Sequence, residues 1–291
     1  MVKSNLKEKK AQSKANLKVV DNNAVKTTAY SDINLKKWRE YDHVKTDTLW
    51  EFPNRLKEGG HSNEYHGNYI PQIAQQIYER YTKKNDIVLD LFFGSGTSGI
   101  EAINMGRRCI GVELKDDLAE SVSEKFTPKQ LVTDVNIICA DSASQLAKEK
   151  IEARLDIMGR KNAQLLMLHP PYDDIIKFSD KKEDLSNCAT TEEFYDLFEK
   201  VAKNGYDLLE KGRFACLIIG DKYANSQHIP LGFECMARMN KLGFITKAII
   251  IKDMQGNERA KGKTANLWRY RALAGGFYIF KHEYVMVFQK V

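Results

Sequence analysis

The tetrad His169-Pro170-Pro171-Tyr172 follows the apolar run Leu165-Leu166-Met167-Leu168 and sets a stiff aromatic lip at the end of a strand. Proline fixes φ and carries no N–H, so the carbonyls around it are held in fixed directions. The second proline also biases the first toward extended geometry. A tyrosine beside fixed acceptors suits the holding of a flat ring that bears an amino group. Alone, Pro-Pro-Tyr reads equally as a strand-terminating turn or a proline-rich ligand. Its weight comes from a second feature upstream, the turn Asp90-Leu91-Phe92-Phe93-Gly94-Ser95-Gly96-Thr97.

Glycines in that turn let a ligand approach the backbone, and the helix N-terminus that follows favours negative groups. A lone G-x-G also fits a dinucleotide site. Glu113 closes the next strand, 17 residues after Gly96, where a carboxylate can accept both hydroxyls of a ribose; a surface salt bridge is the other reading. Asp141-Ser142 ends the third strand, where Asp141 is placed for an adenine amino group or for capping a helix. No G-x-x-x-x-G-K-[ST] follows any strand, so a phosphate-transfer loop is unsupported.

These residues need elements to present them. Apolar periodicity and turn residues predict strands at 87–90, 109–113, 135–140, 164–168, 214–219, 245–252 and 283–289. Helices are predicted at 70–82, 98–105, 118–125, 143–158, 192–209 and 231–242. Strands alternating with helices imply an α/β fold with a doubly wound, mostly parallel seven-stranded sheet, the last two strands forming an antiparallel edge hairpin. In such a sheet ligands bind at the carboxyl ends of the strands near the switch point, which is where Gly94, Glu113, Asp141 and His169 fall. Trp38, Trp50 and Pro53 anchor the irregular stretch 32–60.

The 291 residues, 43% of them hydrophobic, suit one large domain. No apolar run approaches the roughly 20 residues of a membrane span, and the charged N-terminus has no apolar core of the secretory type. Five scattered cysteines without a C-x-x-C pair read as reduced thiols of a cytoplasmic protein. The net charge of +6 is concentrated at the two ends, with six lysines against Glu8 in residues 1–20. Basic ends form an electrostatic footprint for nucleic acid. Residues 1–30 are expected to be a basic, flexible tail, and 31–291 the domain.

With those residues in place, the chain resembles the S-adenosylmethionine-dependent DNA amino-methyltransferases, which modify adenine N6 or cytosine N4. Phe92-Phe93-Gly94-Ser95-Gly96 resembles their F-x-G-x-G motif and the tetrad their [D/N/S]-P-P-[Y/F] motif. His66-Gly67-Asn68-Tyr69-Ile70-Pro71 is similar to the segment covering the methionine end of the cofactor, and Lys281-His282-Glu283-Tyr284-Val285 to the late edge strand. The resemblance extends over about 65–291. It implies a Rossmann-like methyltransferase fold and S-adenosyl-L-methionine as cofactor. His66, Asn68, Tyr69, Pro71, Asp90, Phe92, Gly94, Ser95, Gly96, Thr97, Glu113, Leu114, Asp141 and Ser142 would hold it, with Asp90 near its amino group.

The resemblance further implies that the target base is flipped out of the duplex and stacked on Tyr172. Acceptors at residue 169 and on the Pro170 carbonyl would draw on its N–H bonds, with direct attack on the sulfonium methyl and no covalent enzyme intermediate. The absence of a Pro-Cys dipeptide argues against cytosine C5 chemistry. His169 departs from the family pattern. A neutral imidazole has one acceptor nitrogen and an imidazolium none, so activity is expected to fall below its nominal pKa of ~6.5.

Two short insertions, 173–190 and 253–278, are the expected target-recognition segments. The second mixes cations and aromatics in Arg259, Lys261, Lys263, Trp268, Arg269 and Arg271, as phosphate contact and base stacking require; an ordinary exposed hairpin loop is the alternative. Double-stranded DNA is the expected partner, with a second copy or a separate specificity subunit completing recognition. Adenine N6 is favoured over cytosine N4. RNA guanine-N2 methylation and a catalytically silent DNA-binding subunit are the competing readings.

Overall fold

Short runs of aliphatic residues, too brief for helices, become strands buried on both faces. The computed structural model describes residues 27–56, 58–61, 67–254 and 265–291. Ten strands follow in chain order: β1 (Leu49–Trp50), β2 (Ile87–Asp90), β3 (Arg108–Glu113), β4 (Val135–Cys139), β5 (Ala163–Leu168), β6 (Leu209–Ile219), β7 (Lys222–Ala224), β8 (Gln227–Ile229), β9 (Phe244–Asp253) and β10 (His282–Lys290). The helices are α1 (Pro71–Tyr81), α2 (Thr97–Asn104), α3 (Asp116–Ser123), α4 (Pro128–Thr133), α5 (Gln145–Ile157), α6 (Thr191–Leu208), α7 (Leu231–Lys241) and α8 (Ala265–Gly275).

Eight strands form one sheet in the order β1-β9-β10-β6-β5-β2-β3-β4, and β7 pairs with β8 in a separate antiparallel hairpin. Strands β6, β5, β2, β3 and β4 run parallel, whereas β10 is antiparallel to both β6 and β9. The chain leaves β2 toward β3 and β4, then returns to the other flank of β2 as β5. That reversal is the switch point where ligands bind.

Alternation along each strand divides the core into two layers. Leu89, Leu166, Leu217 and Met286 face one side with Ile151 of α5, Phe198 of α6 and Met239 of α7. Val88, Leu165, Cys216 and Val285 face the other with Ile73 and Ile77 of α1, Ile100 of α2 and Val122 of α3. Each large apolar side chain so buried contributes about 1.5–3 kcal/mol. At the amino ends, Arg213 ion-pairs with Asp86, both buried, and its Nε donates to the Gln164 carbonyl at 3.0 Å. This ties β6 to β5 and to the turn entering β2.

The expected architecture holds, with corrections at its margins. The sheet has eight strands rather than seven because Leu49–Trp50 adds parallel to β9; two residues leave no periodic signal. Trp50 is a core anchor, but Trp38 is 59% exposed, with Arg39 stacked over its ring at 4.7 Å. Strand β6 begins at Leu209 rather than 214, its irregular start containing Gly212 at φ +83°. Helix α4, started by a Thr127–Gln130 capping box, and the β7–β8 hairpin were not predicted. Residues 265–275 form a helix where a loop was the alternative reading. Packing is already established at Tyr30, whose ring lies edge-on to Phe214 at 4.8 Å. Among the described residues no helix is long and apolar enough to cross a membrane.

Substituting Arg213→Met should destabilise the protein by about 3–5 kcal/mol in denaturant unfolding, because Asp86 stays buried without its partner. Adding Asp86→Asn should recover part of that loss.

Candidate active site

Strand β2 ends at Asp90 and the chain turns through Gly94 (φ +52°) and Gly96 (φ +83°) into α2. A Cβ at residue 96 would lie 2.7 Å from Val122 Cγ1, so only glycine lets α3 pack this close to the turn. Glu113, at the end of β3, accepts from Gly94 N on one oxygen and from Lys115 N on the other, both at 2.9 Å. Its carboxylate is therefore oriented before any ligand arrives. Burial raises its pKa to about 7, against the pull of those backbone donors.

Asp90 lies deeper. Ser98 Oγ donates to one of its oxygens and Phe92 N to the other, at 2.9 Å. The Tyr69 hydroxyl, 2.5 Å from Ser98 Oγ, completes a buried chain, and burial lifts Asp90 to about 6. Asn68 accepts from Ser95 Oγ at 2.6 Å, while its side-chain nitrogen is buried without a partner among the described residues. At the end of β4, Ser144 caps α5, so Asp141 is not the helix cap. Asp141 instead takes Ala143 N at 2.9 Å, and its pKa is raised by burial. Ser142 Oγ donates to the Leu91 carbonyl at 2.7 Å.

The tetrad closes the opposite wall. Tyr172 donates its hydroxyl to Glu283 Oε2 at 2.8 Å, and Glu283 Oε1 lies 3.0 Å from Lys252 Nζ. Lys252 and Glu283 are 2% and 7% exposed, a buried ion pair between β9 and β10. Gly220 gives the Tyr172 ring its room: a Cβ there would stand 2.9 Å from Tyr172 Cε2. The His169 ring is edge-on to Tyr69 at 5.3 Å and to Tyr172 at 5.8 Å. Burial pushes its pKa down to about 4, with Lys252 and Arg55 adding to the effect and Glu283 opposing it. The nominal value of ~6.5 expected for this residue is thereby lowered: the ring sheds its proton far more readily than an exposed histidine.

Asn68, Tyr69, Phe92, Gly94, Thr97, Glu113, Leu114, Asp141, Ser142 and the whole tetrad line one cavity of about 280 Å³. Pro71, Asp90, Ser95 and Gly96 do not line it; Asp90 is linked to it through Phe92 N and through Ser98 and Tyr69. The insertion 173–190 supplies Ile175, Ile176, Phe178 and Glu183 to the cavity wall. It is tied down by Lys181, which donates to the Leu114 carbonyl at 2.7 Å and to Asp116 at 2.6 Å. Lys222 holds its other end through Asp173 and Asp174. Trp268, Arg269 and Arg271 sit on α8, exposed and away from the cavity, with Arg271 over the Trp268 ring at 5.3 Å. His66, Arg259, Lys261 and Lys263 lie outside the described residues.

Sequence reasoning missed Glu283, Lys252, Ser98 and Lys181. The available signal was a charge inside an apolar strand: Lys252 follows Ile249-Ile250-Ile251, and Glu283 precedes Tyr284-Val285-Met286-Val287-Phe288.

A ligand cleft at the switch point of this sheet, walled by oriented carboxylates and an aromatic lip, defines a nucleotide-type site. A family model described as DNA methylase, of the N6/N4 methyltransferase type, matches residues 2–124 and 163–291. The chain belongs to the N6/N4 DNA methylase family. It is 34% identical over 100 residues to a probable type III restriction-modification enzyme HindVI Mod subunit from Haemophilus influenzae, covering 33% of this chain and 13% of that protein. Over 84 residues it is 31% identical to the type II methyltransferase M.MjaII of Methanocaldococcus jannaschii, covering 27% of this chain and 16% of that one. Both matches thus span a small part of the relatives' length. Among solved structures, TrmN from Thermus thermophilus aligns at 15% identity and TM-score 0.48, over 78% of this chain and 50% of that one.

Gly220→Ala should displace the Tyr172 ring and lower stability by about 1–3 kcal/mol in denaturant unfolding. Gly60→Ala, where a Cβ meets nothing within 4 Å, should not disturb Tyr172, whatever backbone strain it introduces.

Proposed function

We propose that this chain is an S-adenosylmethionine-dependent DNA methyltransferase acting on an exocyclic amino group, adenine N6 before cytosine N4. The observation that carries the reading is the placement of the Tyr172 lip and the oriented Glu113 carboxylate in one cavity. The residues present fit the cofactor. Glu113 offers two fixed oxygens to a ribose diol, and Asp141 with Ser142 faces the adenine. The side-chain nitrogen of Asn68, buried without a partner among the described residues, suits the carboxylate of the methionine end. When bound, the cofactor supplies an electrophilic methyl group on a sulfonium.

The chain's own residues do the rest. Tyr172, held by Glu283, offers a ring of fixed tilt on which a flipped base stacks. The Pro170 carbonyl and the neutral His169 ring accept from the amino group and keep its lone pair directed into the cavity. The insertion 173–190 and Phe92 exclude water. We assign residues 31–291 to one methyltransferase domain, preceded by a basic segment whose last residue, Tyr30, packs on Phe214 of that domain.

Duplex DNA is the proposed partner, in the cytoplasm. Support comes from the exposed surface of α8, where Trp268, Tyr270, Arg269 and Arg271 mix rings with cations, and from Tyr223 on β7 stacked against Phe277 at 4.6 Å. One relative is a Mod subunit of a restriction-modification enzyme, so a second subunit or a second copy completes target recognition in this reading.

Labelled methyl groups should pass from the cofactor to duplex DNA and not to tRNA, with nucleoside analysis giving N6-methyladenine; N4-methylcytosine would move the target, and no incorporation would overturn the activity. His169→Ala should reduce the rate at least about tenfold. Two pH limbs should separate. The cofactor Kd should rise as pH falls through about 7, where Glu113 takes up a proton. The rate at saturating cofactor should persist until pH nears about 4, below which His169 becomes an imidazolium without an acceptor.

A further inference from the structure

Beneath the tetrad, the contact that fixes the Tyr172 ring belongs to a longer chain of polar groups, from His169 through Tyr172 and Glu283 to Lys252. Tyr172 donates its only hydroxyl proton to Glu283 Oε2 at 2.8 Å, so that oxygen presents lone pairs to its other neighbours. His169 Nε2 lies 3.4 Å from the Tyr172 hydroxyl oxygen and, facing a lone pair there, carries the hydrogen of the neutral ring. Nδ1 is then the acceptor nitrogen. At the far end, Glu283 Oε1 is paired with Lys252 at 3.0 Å. Burial opposes ionisation of Glu283, but Lys252 and the Tyr172 hydroxyl outweigh it and hold the carboxyl below its ordinary value. Burial likewise keeps His169 neutral, against Glu283 and in concert with Lys252 and Arg55. His169, Tyr172 and Glu283 all line the cavity.

We propose that His169, Tyr172 and Glu283 form a proton relay that takes up the proton released when the amino nitrogen is methylated. The inference rests on the amino-methyl-transfer reading above. A methylated exocyclic nitrogen carries two hydrogens and a positive charge. One N–H bond breaks, leaving its electron pair on nitrogen, and the proton joins His169 Nδ1. The Nε2 proton passes to Tyr172 Oη, and the tyrosine's own proton passes to Glu283 Oε2. The products are a neutral N-methylamine, a neutral histidine in its other tautomer, an intact tyrosine and a carboxylic acid at 283. Positive charge on the base and negative charge on Glu283 vanish together. After product release the relay runs backward and the proton leaves Nδ1 for water.

The arrangement explains how histidine stands in a position where the family carries Asp, Asn or Ser. A buried neutral imidazole is a weak base by itself. Coupled through Tyr172 it delivers the proton to the Glu283 carboxylate on β10, and Lys252 keeps that carboxylate charged between turnovers.

The test is single-turnover methyl transfer to duplex DNA by the full chain and by Tyr172→Phe, Glu283→Gln and the double variant. Each single change should slow transfer at least about tenfold, with Kd for cofactor and DNA within about twofold of the parent. The double variant should be no slower than the slower single one, since both cut the same relay. Glu283→Gln leaves Lys252 buried without a counter-charge; should it fail to fold, Tyr172→Phe, which keeps the ion pair and the ring, carries the test. Independently of activity, 15N NMR of the cofactor-free protein should show His169 as the Nε2–H tautomer, shifting toward Nδ1–H in Tyr172→Phe. Parental rates in both single variants, additive losses, or an Nδ1–H tautomer in the parent would overturn the relay. A parent protein that methylates no nucleic acid overturns the activity and the relay with it.

Discussion

Everything in the cavity depends on β2 pairing with β3 on one side and with β5 on the other. Because parallel strands need a crossover, and because the crossovers depart from β2 in opposite directions, their carboxyl ends open a crevice that no loop has to fill. Asp90 aligns with Gly111 and with Met167 across that pair of ladders. Glu113 and the tetrad are therefore carried to opposite walls by register alone. Side chains that could not have been steered together by local turns are delivered by the sheet.

Two kinds of electrostatics share the crevice. On the glycine-turn side the carboxylates of Asp90 and Glu113 are buried, form no ion pair among the described residues, are held by hydroxyl and backbone donors, and both sit at raised pKa values. On the tetrad side Glu283 has a lysine partner and stays ionised. Carboxylates that titrate near neutrality favour a ligand bringing positive charge or hydroxyl donors, since such a ligand restores what burial removed. A carboxylate already neutralised is better suited to a task internal to the protein.

Much of this was legible in the chain. The glycine turn, Glu113 and the tetrad are local signatures at strand ends, and alternation between short apolar runs and amphipathic segments was enough to order the sheet. What escaped was of two sorts. Leu49–Trp50 and the β7–β8 hairpin are too short to carry a period. Glu283 and Lys252 lie 111 and 80 positions from Tyr172 in the sequence, and their meeting is decided by β10 inserting between β6 and β9. The proton affinity of His169 was misjudged for a related reason: an isolated residue carries its nominal value, and only the surrounding fold supplies the desolvation. Conversely, α8 had a readable signal in its leucines, arginines and alanines before the Gly275-Gly276 stop, overshadowed by its neighbouring charges.

The insertion over the cavity has a consequence of its own. Its fastening at Lys181 is made of exposed partners, since Asp116 is 78% accessible and Lys181 40%, whereas the tetrad wall is fastened by the buried Lys252–Glu283 pair. Mobile ions reach the first and not the second. Salt would therefore loosen the Lys181 end of the cover while leaving its buried Lys222–Asp173 end and the tetrad as they are, so access to the crevice and the arrangement of its wall answer to different properties of the surrounding solution.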